Sequence, residues 1–184
     1  MDITSVITKY IFGKLIPLQS FIFSRPRIDI DLNNDEEDLY GQRSKGVSFN
    51  QISLEPIPIQ FIEYDFEFYW NYIIRIRNNS SKTAYNLKIE KIYKDQNDYL
   101  SKLDEIVSLK DGETIELDYK LKHSESKNIN EAKITLTKFP YYLEKIEIII
   151  SYTNESRKKF YTRFIATKSS KENQHLLRKP KNVA

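Results

Sequence analysis

The sequence predicts an all-β protein: an antiparallel β-sandwich of seven to nine strands, preceded by an amphipathic helix. Two observations carry this prediction. Every even position between residues 62 and 76 is apolar or aromatic. Elsewhere, shorter alternating runs are separated by turn-forming residues, without repeated helices between them. Because successive side chains of a strand point to opposite faces, each run has one apolar face for a core, and such a series is typical of sandwiches.

The composition excludes several kinds of site. The chain has 184 residues, enough for one sizeable domain, and it contains no cysteine. Disulfides, thiolate catalysis and cysteine-bound metal clusters are therefore excluded. The four glycines are isolated from one another, which excludes a glycine-rich phosphate loop as well. We expect no cofactor and no metal.

The chain divides into four segments: an amphipathic helix (1–24), a first strand with an acidic loop (25–59), the sandwich (60–168) and a basic flexible tail (169–184). Charge is distributed unevenly along them. The stretch from Asp29 to Glu67 contains ten acidic and two basic residues, whereas the chain from Arg157 onward contains nine basic residues and one acidic residue. Such a split indicates either surfaces for oppositely charged partners or simply solvated faces and termini.

The first segment has apolar residues at helical spacing, and Pro17 should end or kink the helix. It lacks the unbroken apolar centre of a secretory signal and the length of a membrane span, so we expect a cytoplasmic protein. Two interpretations stay open. The helix packs on its own domain or on a second copy, or it lies on a membrane surface or docks into a partner protein. The second interpretation would use the side chains of Ile7, Ile11, Phe21 and Phe23.

The second segment begins with a short strand, residues 27 to 32, in which apolar residues alternate with Asp29 and Asp31. An acidic, glycine-containing loop is predicted from 33 to 46, and an extended stretch with two prolines follows up to residue 59. The Asp-x-Asp spacing invites comparison with a calcium loop. That comparison fails, because the sixth and twelfth positions counted from either aspartate are not the required glycine and glutamate.

The strand from Ile62 to Asn78 is the strongest pattern in the chain. Its even positions form an aromatic inner face, and its odd positions form a mostly polar outer face. At the usual rise such a strand would exceed ~50 Å, far longer than an average strand. We therefore expect it to bend or break near Tyr69 to Asn71, with one half in each sheet.

Further elements follow the long strand. We predict strands at 83–93 (with a bulge near Glu90 and Lys91), 114–121, 133–138, 143–152 and 158–166. The strand at 143–152 is apolar on both faces in its middle, which favours a central position in its sheet. Residues 94 to 109 suit a helical turn or a crossing between sheets, and residues 123 to 131 suit a polar loop. After Lys168 the chain should fray.

The run from Ile74 to Ser80, followed by Ala84 to Ile89, resembles bacterial immunoglobulin-like domains of the CARDB type and related repeats. In those domains an alternating strand ends in Asn plus a small residue, and a second strand starts at Ala after a short gap. A Leu-x-x-Gly-Glu turn then leads to another strand, as Leu109 to Ile115 does here. The resemblance covers residues 62 to 166. It implies an immunoglobulin-like sandwich of seven strands used for binding or spacing, and it transfers no catalytic residue.

No catalytic constellation emerges from the polar residues. His123 and His175 lie far apart in polar stretches, and we interpret both as solvated loop residues. Glu63, Asp65 and Glu67 share one strand face about 7 Å apart, a spacing that would allow carboxylate chemistry at a glycosidic bond. A solvated outer face explains them more simply. We therefore expect a non-enzymatic protein, with an enzyme built on these carboxylates as the alternative.

The predicted function is an interaction or accessory domain that binds a protein partner, docked to a membrane or a larger complex through its N-terminal helix. The alternative is a nucleic-acid-binding accessory protein. Arg157, Lys159, Tyr161 and Arg163 share the outer face of the last predicted strand, and bases with an interleaved aromatic are typical of single-strand binders. The acidic segment opposes that alternative, because it would repel phosphates or compete for the basic face.

Overall fold

A computed structural model describes residues 25–34, 40–47, 58, 62–92, 98–101 and 106–181. Within these residues β-strands dominate, which confirms the all-β prediction. No helix of this part of the chain is long and apolar enough to cross a membrane. The helix predicted at 1–24 lies outside the described residues. The elements are β1 (Ile28–Asn34), β2 (Tyr40–Val47), β3 (Tyr64–Asn78), β4 (Ala84–Ile92), β5 (Tyr99–Leu100), β6 (Ile106–Leu109), β7 (Thr114–Lys127), α1 (Ile129–Thr135), β8 (Ile146–Thr153), β9 (Lys159–Ala166) and β10 (Lys171–Leu176).

The strands form two antiparallel sheets. Sheet A has the order β1-β3-β7-β5, with β2 also beside β3, and sheet B has the order β10-β9-β8-β4-β6. The described residues thus contain ten strands, more than the seven to nine predicted. β8 lies in the middle of sheet B, as its doubly apolar sequence predicted.

β3 is the longest strand and runs through the middle of sheet A. Its even-numbered side chains are buried from Phe66 onward, as the alternation predicted. The predicted break near Tyr69 to Asn71 is wrong, because β7 pairs with β3 along almost its whole length. What changes at that point is the neighbour on the other edge. β2 pairs with β3 up to Trp70, and β1 takes over from Tyr72, so two short strands allow one long strand to stay in a single sheet.

The apolar core lies between the two sheets. Fully buried side chains from both sheets include Phe68, Trp70, Ile74, Tyr152, Phe160 and Phe164. The indole N–H of Trp70 donates to the carbonyl oxygen of Thr137 at 2.8 Å, so the core also holds the connection between α1 and β8. Burying a large side chain contributes about 1.5–3 kcal/mol relative to exposing it, and this cluster is therefore the main source of stability.

Three stretches without hydrophobic alternation are strands in the structure, contrary to prediction. β2 begins inside the predicted loop at 33–46 and ends at Val47, and β7 continues to Lys127, into the predicted loop at 123–131. β10 forms where the chain was expected to fray. The alternation is missing because few side chains of these stretches enter the apolar core. They are held instead by backbone pairing with a neighbouring strand.

The strand predicted at 133–138 is wrong, because residues 129–135 form α1. Asn128 caps the helix, and its side-chain oxygen accepts a hydrogen bond from the backbone N–H of Glu131 at 2.9 Å. Ala132 of this helix is buried, whereas Ile134 is 80% exposed. The spacing of Ile134 and Leu136 therefore imitated strand alternation by chance.

The bulge predicted in β4 is confirmed, since the pairing with β8 shifts between Ile89 and Lys91. A second, unpredicted irregularity lies at Asn86, which has a positive φ of 52°. This irregularity turns Leu87 into the core, and the exposed Asn86 donates from its side-chain amide to the Thr153 hydroxyl at 3.1 Å.

Candidate functional site

β9 carries the basic residues that the sequence analysis selected. Lys159, Tyr161 and Arg163 alternate with buried residues and share the outer face of sheet B. Arg157 lies in the turn before β9, with a positive φ of 60°. The ammonium of Lys159 lies 5.4 Å from the centroid of the Tyr161 ring, a cation–π contact. The strand therefore brings three of these four residues together.

Glu90 of β4 holds Lys159 on this face. Its carboxylate accepts hydrogen bonds from Lys159 Nζ at 2.9 Å and from Ser151 Oγ at 2.7 Å, and Lys179 Nζ lies 3.6 Å away. The hydrogen bonds from Lys159 and Ser151 lower the pKa of Glu90 to about 2, although burial opposes this shift. Lys159 therefore already forms an ion pair with a carboxylate of its own chain.

Glu147 of β8 holds Arg163 in the same way. Arg163 Nε donates to one carboxylate oxygen at 2.6 Å, and Lys91 Nζ lies 2.8 Å from the other. Burial opposes ionisation, but the hydrogen bonds from Lys91 and Arg163 outweigh it and hold the pKa of Glu147 below its usual range. The outer face of β9 is thus part of an ion-pair network in which four cations (Lys91, Lys159, Arg163 and Lys179) contact two carboxylates.

A groove borders this network at the end of the described chain. Residues of β10, Arg163 of β9 and residues 177, 178, 180 and 181 line an open groove of about 600 Å³, which we term the tail groove. Its lining includes Leu176, Leu177, Pro180, Arg163, Arg178 and Lys181. Leu177 is 54% exposed. Lys179 lies between Arg178 and Pro180 and reaches Glu90, so an ion pair ties this wall of the groove to sheet B.

The inner face of β10 joins β1 through polar side chains. Three contacts form this seam: Lys171 Nζ with Asp31 Oδ1 at 2.9 Å, Asn173 with the backbone of Ile30, and His175 Nε2 with Asp29 Oδ1 at 3.0 Å. A second groove of about 330 Å³ follows the seam, and its lining mixes carboxylates with cations. The interpretation of His175 as a solvated loop residue is therefore wrong.

Charges of both signs surround His175. Burial lowers the pKa of His175, and the charges of Arg27 and Arg25 lower it further, whereas the Asp29 carboxylate acts in the opposite direction. The guanidinium of Arg25 lies 5.5 Å over the Phe160 ring, and its Nε is buried without a hydrogen-bond partner in the described chain. His175 also lines the tail groove.

His123 is not a loop residue either. It lies in β7 and stacks on the ring of Tyr142 with 4.3 Å between the ring centroids. Glu125 accepts a hydrogen bond from the Tyr141 hydroxyl and lies 3.7 Å from His123 and 3.4 Å from Lys127. The stacked rings, the hydrogen bond and the ion pairs thus form one cluster, which covers one end of the core.

The carboxylates considered for the enzyme alternative have partners on the surface of sheet A. Glu67 forms ion pairs with Lys45 at 3.0 Å and Lys122 at 3.3 Å. Asp65 accepts a hydrogen bond from Ser126 Oγ at 2.6 Å. Among the residues whose positions are described, no group of three or more His, Asp or Glu side chains is placed to hold a metal ion.

The binding residues predicted in the N-terminal segment, Ile7, Ile11, Phe21 and Phe23, lie outside the described residues and stay predictions. The tail groove was missed in the sequence, although Ser169 and Ser170 signal a turn after β9 and Leu176 and Leu177 end a polar run. No protein-family model, curated protein or solved structure matches this chain.

Proposed function

We propose that this chain is a non-enzymatic interaction domain that binds a protein partner. The tail groove is the observation that carries the proposal. It combines the exposed Leu177 and the half-buried Leu176 and Pro180 with cationic side chains. β9 and β10 pair over six residues, which gives the groove a fixed support.

A photoreactive amino acid at position 177 tests this proposal in cells that produce the protein. The matched control carries the same amino acid in place of Ile134, which is exposed on α1. We expect discrete crosslinked products with one protein species at position 177, and none of that species at position 134. Failure to crosslink any protein at position 177, or the same products at both positions, would contradict the proposal.

An immunoglobulin-like arrangement of the sheets and a cytoplasmic location belong to the same proposal. So does an N-terminal helix that docks the domain to a membrane or a larger complex. Its test is Ile7→Asp combined with Ile11→Asp, compared with Thr8→Asp on the polar side of the predicted helix. Loss of liposome flotation or of cofractionation with a complex supports docking. Unchanged behaviour in both assays rejects it.

The nucleic-acid alternative has one specific observation in its favour, the contact of Lys159 with the Tyr161 ring beside the cations of the C-terminal segment. Against it, Glu90 and Glu147 already bind Lys159 and Arg163, so neither cation of β9 is free to bind a phosphate. Phosphate contacts make affinity fall steeply with salt. Titration of a labelled single-stranded oligonucleotide at several salt concentrations therefore tests the alternative, and absence of binding at low salt rejects it.

A further inference from the structure

We propose that the tail groove binds a short acidic segment of a protein, in which carboxylates flank large aliphatic side chains. This inference rests on the proposed function and adds the chemistry of the partner. It follows from three properties of the groove: its apolar surface, its charge and the kind of side chain that lines it.

The apolar surface of the groove comes from Leu176, Leu177 and Pro180. Leu177 is more than half exposed at this groove. Covering such a side chain removes apolar area from water, which is favourable in proportion to the area covered. A partner with leucine-like side chains would gain this contribution, whereas a purely polar segment would not.

The charge of the groove is positive. Arg163, Arg178 and Lys181 line it, and none of its described lining residues is a carboxylate. Arg163 is bound to Glu147, but neither Arg178 nor Lys181 forms an ion pair within the described part of the chain. Two cations next to an apolar surface favour carboxylates next to aliphatic side chains, since charge-assisted hydrogen bonds are stronger than neutral ones.

The lining also distinguishes a peptide from single-stranded nucleic acid. Nucleic-acid channels combine cations with aromatic rings on which bases stack. The described lining of the tail groove contains aliphatic side chains and the His175 imidazole, and no Phe, Tyr or Trp. Leu176 and Leu177 suit aliphatic side chains better than base planes, so the observations favour an acidic peptide.

Fluorescence polarisation with the full chain and synthetic peptides tests the inference. The probe is a labelled peptide of alternating Glu and Leu. Three comparison ligands isolate each property: a Lys/Leu peptide of the same length, a Glu/Ser peptide, and a single-stranded oligothymidine. We expect the Glu/Leu peptide to bind at least about tenfold more tightly than each of the others.

Variants of the groove residues test whether the Glu/Leu peptide binds there. We expect Arg178→Glu combined with Lys181→Glu, and separately Leu177→Ser, to weaken Glu/Leu binding at least about tenfold. The matched controls on α1, Lys133→Glu and Ile134→Ser, should leave it unchanged. An unchanged emission spectrum of Trp70, the only tryptophan of the chain, shows that each variant is folded.

Three results would overturn the inference: no Glu/Leu binding up to about 1 mM, equal or tighter binding of the Lys/Leu peptide, or tighter binding of oligothymidine with a steep salt dependence. Equal loss of binding in the α1 variants would also overturn it. Any of these, combined with specific protein crosslinks at position 177, leaves the proposed function standing and removes only the acidic chemistry. Absence of those crosslinks contradicts the proposed function itself.

Discussion

The side chain of Asn173 in β10 pairs with both backbone groups of Ile30 in β1. Its amide nitrogen donates to the Ile30 carbonyl oxygen at 2.8 Å, and its amide oxygen accepts the Ile30 N–H at 3.0 Å. β1 is the last strand of sheet A on this side, so its outer edge has no neighbouring strand in the described chain. The Asn173 side chain therefore provides the two backbone hydrogen bonds that a neighbouring strand would make with Ile30, and it joins sheet A to sheet B.

Replacement of Asn173 by alanine should lower the free energy of unfolding by about 2 kcal/mol or more. The variant leaves the N–H and the carbonyl of Ile30 without partners, and a buried unpaired group costs about 1–3 kcal/mol. Urea unfolding followed by Trp70 fluorescence measures the loss. The control is Glu172→Ala on the exposed side of the same strand, which should change stability by less than about 0.5 kcal/mol. Equal stability of the two variants would contradict this role of Asn173.

Asn78 should be equally sensitive, because it joins the sheets at the end of β3. It is fully buried, and its amide donates to the carbonyl oxygens of Lys82 and Leu109, both at 2.8 Å. Its amide oxygen accepts from the Ser80 hydroxyl at 2.8 Å. Asn78→Asp places a carboxylate against two carbonyl oxygens, and we expect it to cost more than Asn78→Ala.

Thermal unfolding of both variants and of Ser81→Ala measures the effect of Asn78. Ser81 lies in the same turn and is exposed, so its substitution should leave the midpoint within a few degrees of the natural protein. Asn78→Ala should lower the midpoint by several degrees, since each loss of about 1 kcal/mol corresponds to ~2–4 °C in a domain of this size. A midpoint for Asn78→Asp at or above that of Asn78→Ala would show that the carbonyl contacts contribute little.

The apolar half of the fold could be predicted from the sequence, and the polar half could not. Alternation placed the even residues of β3 and the inner residues of β9 correctly, because the apolar face of a strand must be buried in the core. β10 was missed because its inward-facing Lys171, Asn173 and His175 contact the edge of β1. Nothing in the local sequence indicates which backbone edge needs such partners.

The candidate site was likewise predictable only in part. The grouping of Lys159, Tyr161 and Arg163 follows from strand periodicity alone. Their partners follow from tertiary register, since the bulge in β4 lets the consecutive residues Glu90 and Lys91 both contact the outer face of sheet B. A bulge can be suspected from a slip in alternation, but the strands beside it cannot be identified that way.

The ion pairs of Glu90 predict a loss of stability in acid. Folding lowers the pKa of Glu90 from its ordinary value of 4.5 to about 2, mainly through the hydrogen bond from Lys159. The ionised carboxylate therefore contributes stability that is fully present above the pKa of the unfolded chain. This contribution is lost as the pH falls towards 2.

Glu90→Gln isolates this contribution, because glutamine does not titrate. We expect the natural protein to exceed the variant in free energy of unfolding at pH 6, and the difference to shrink as the pH falls from about 5 to 2. Glu172→Gln, at an exposed carboxylate of β10, is the control and should show little change across the same range. A difference for Glu90→Gln that is independent of pH would mean that the ion pair is not the cause.

The contact between Gly41 of β2 and Tyr69 of β3 predicts that a methyl group at position 41 must displace the tyrosine ring. The two residues are opposite each other in the pairing, and the Tyr69 ring occupies the space that a Cβ at position 41 would take. Gly41→Ala should therefore destabilise the protein by about 1–3 kcal/mol, the usual cost of overpacking.

In a double-mutant cycle with Tyr69→Ser, the loss caused by alanine should largely disappear, because the ring is no longer there. Arg43→Ala, at an exposed position of the same strand, should have little effect. Additive losses in the cycle would show that alanine acts through the backbone of β2 and not through the tyrosine ring.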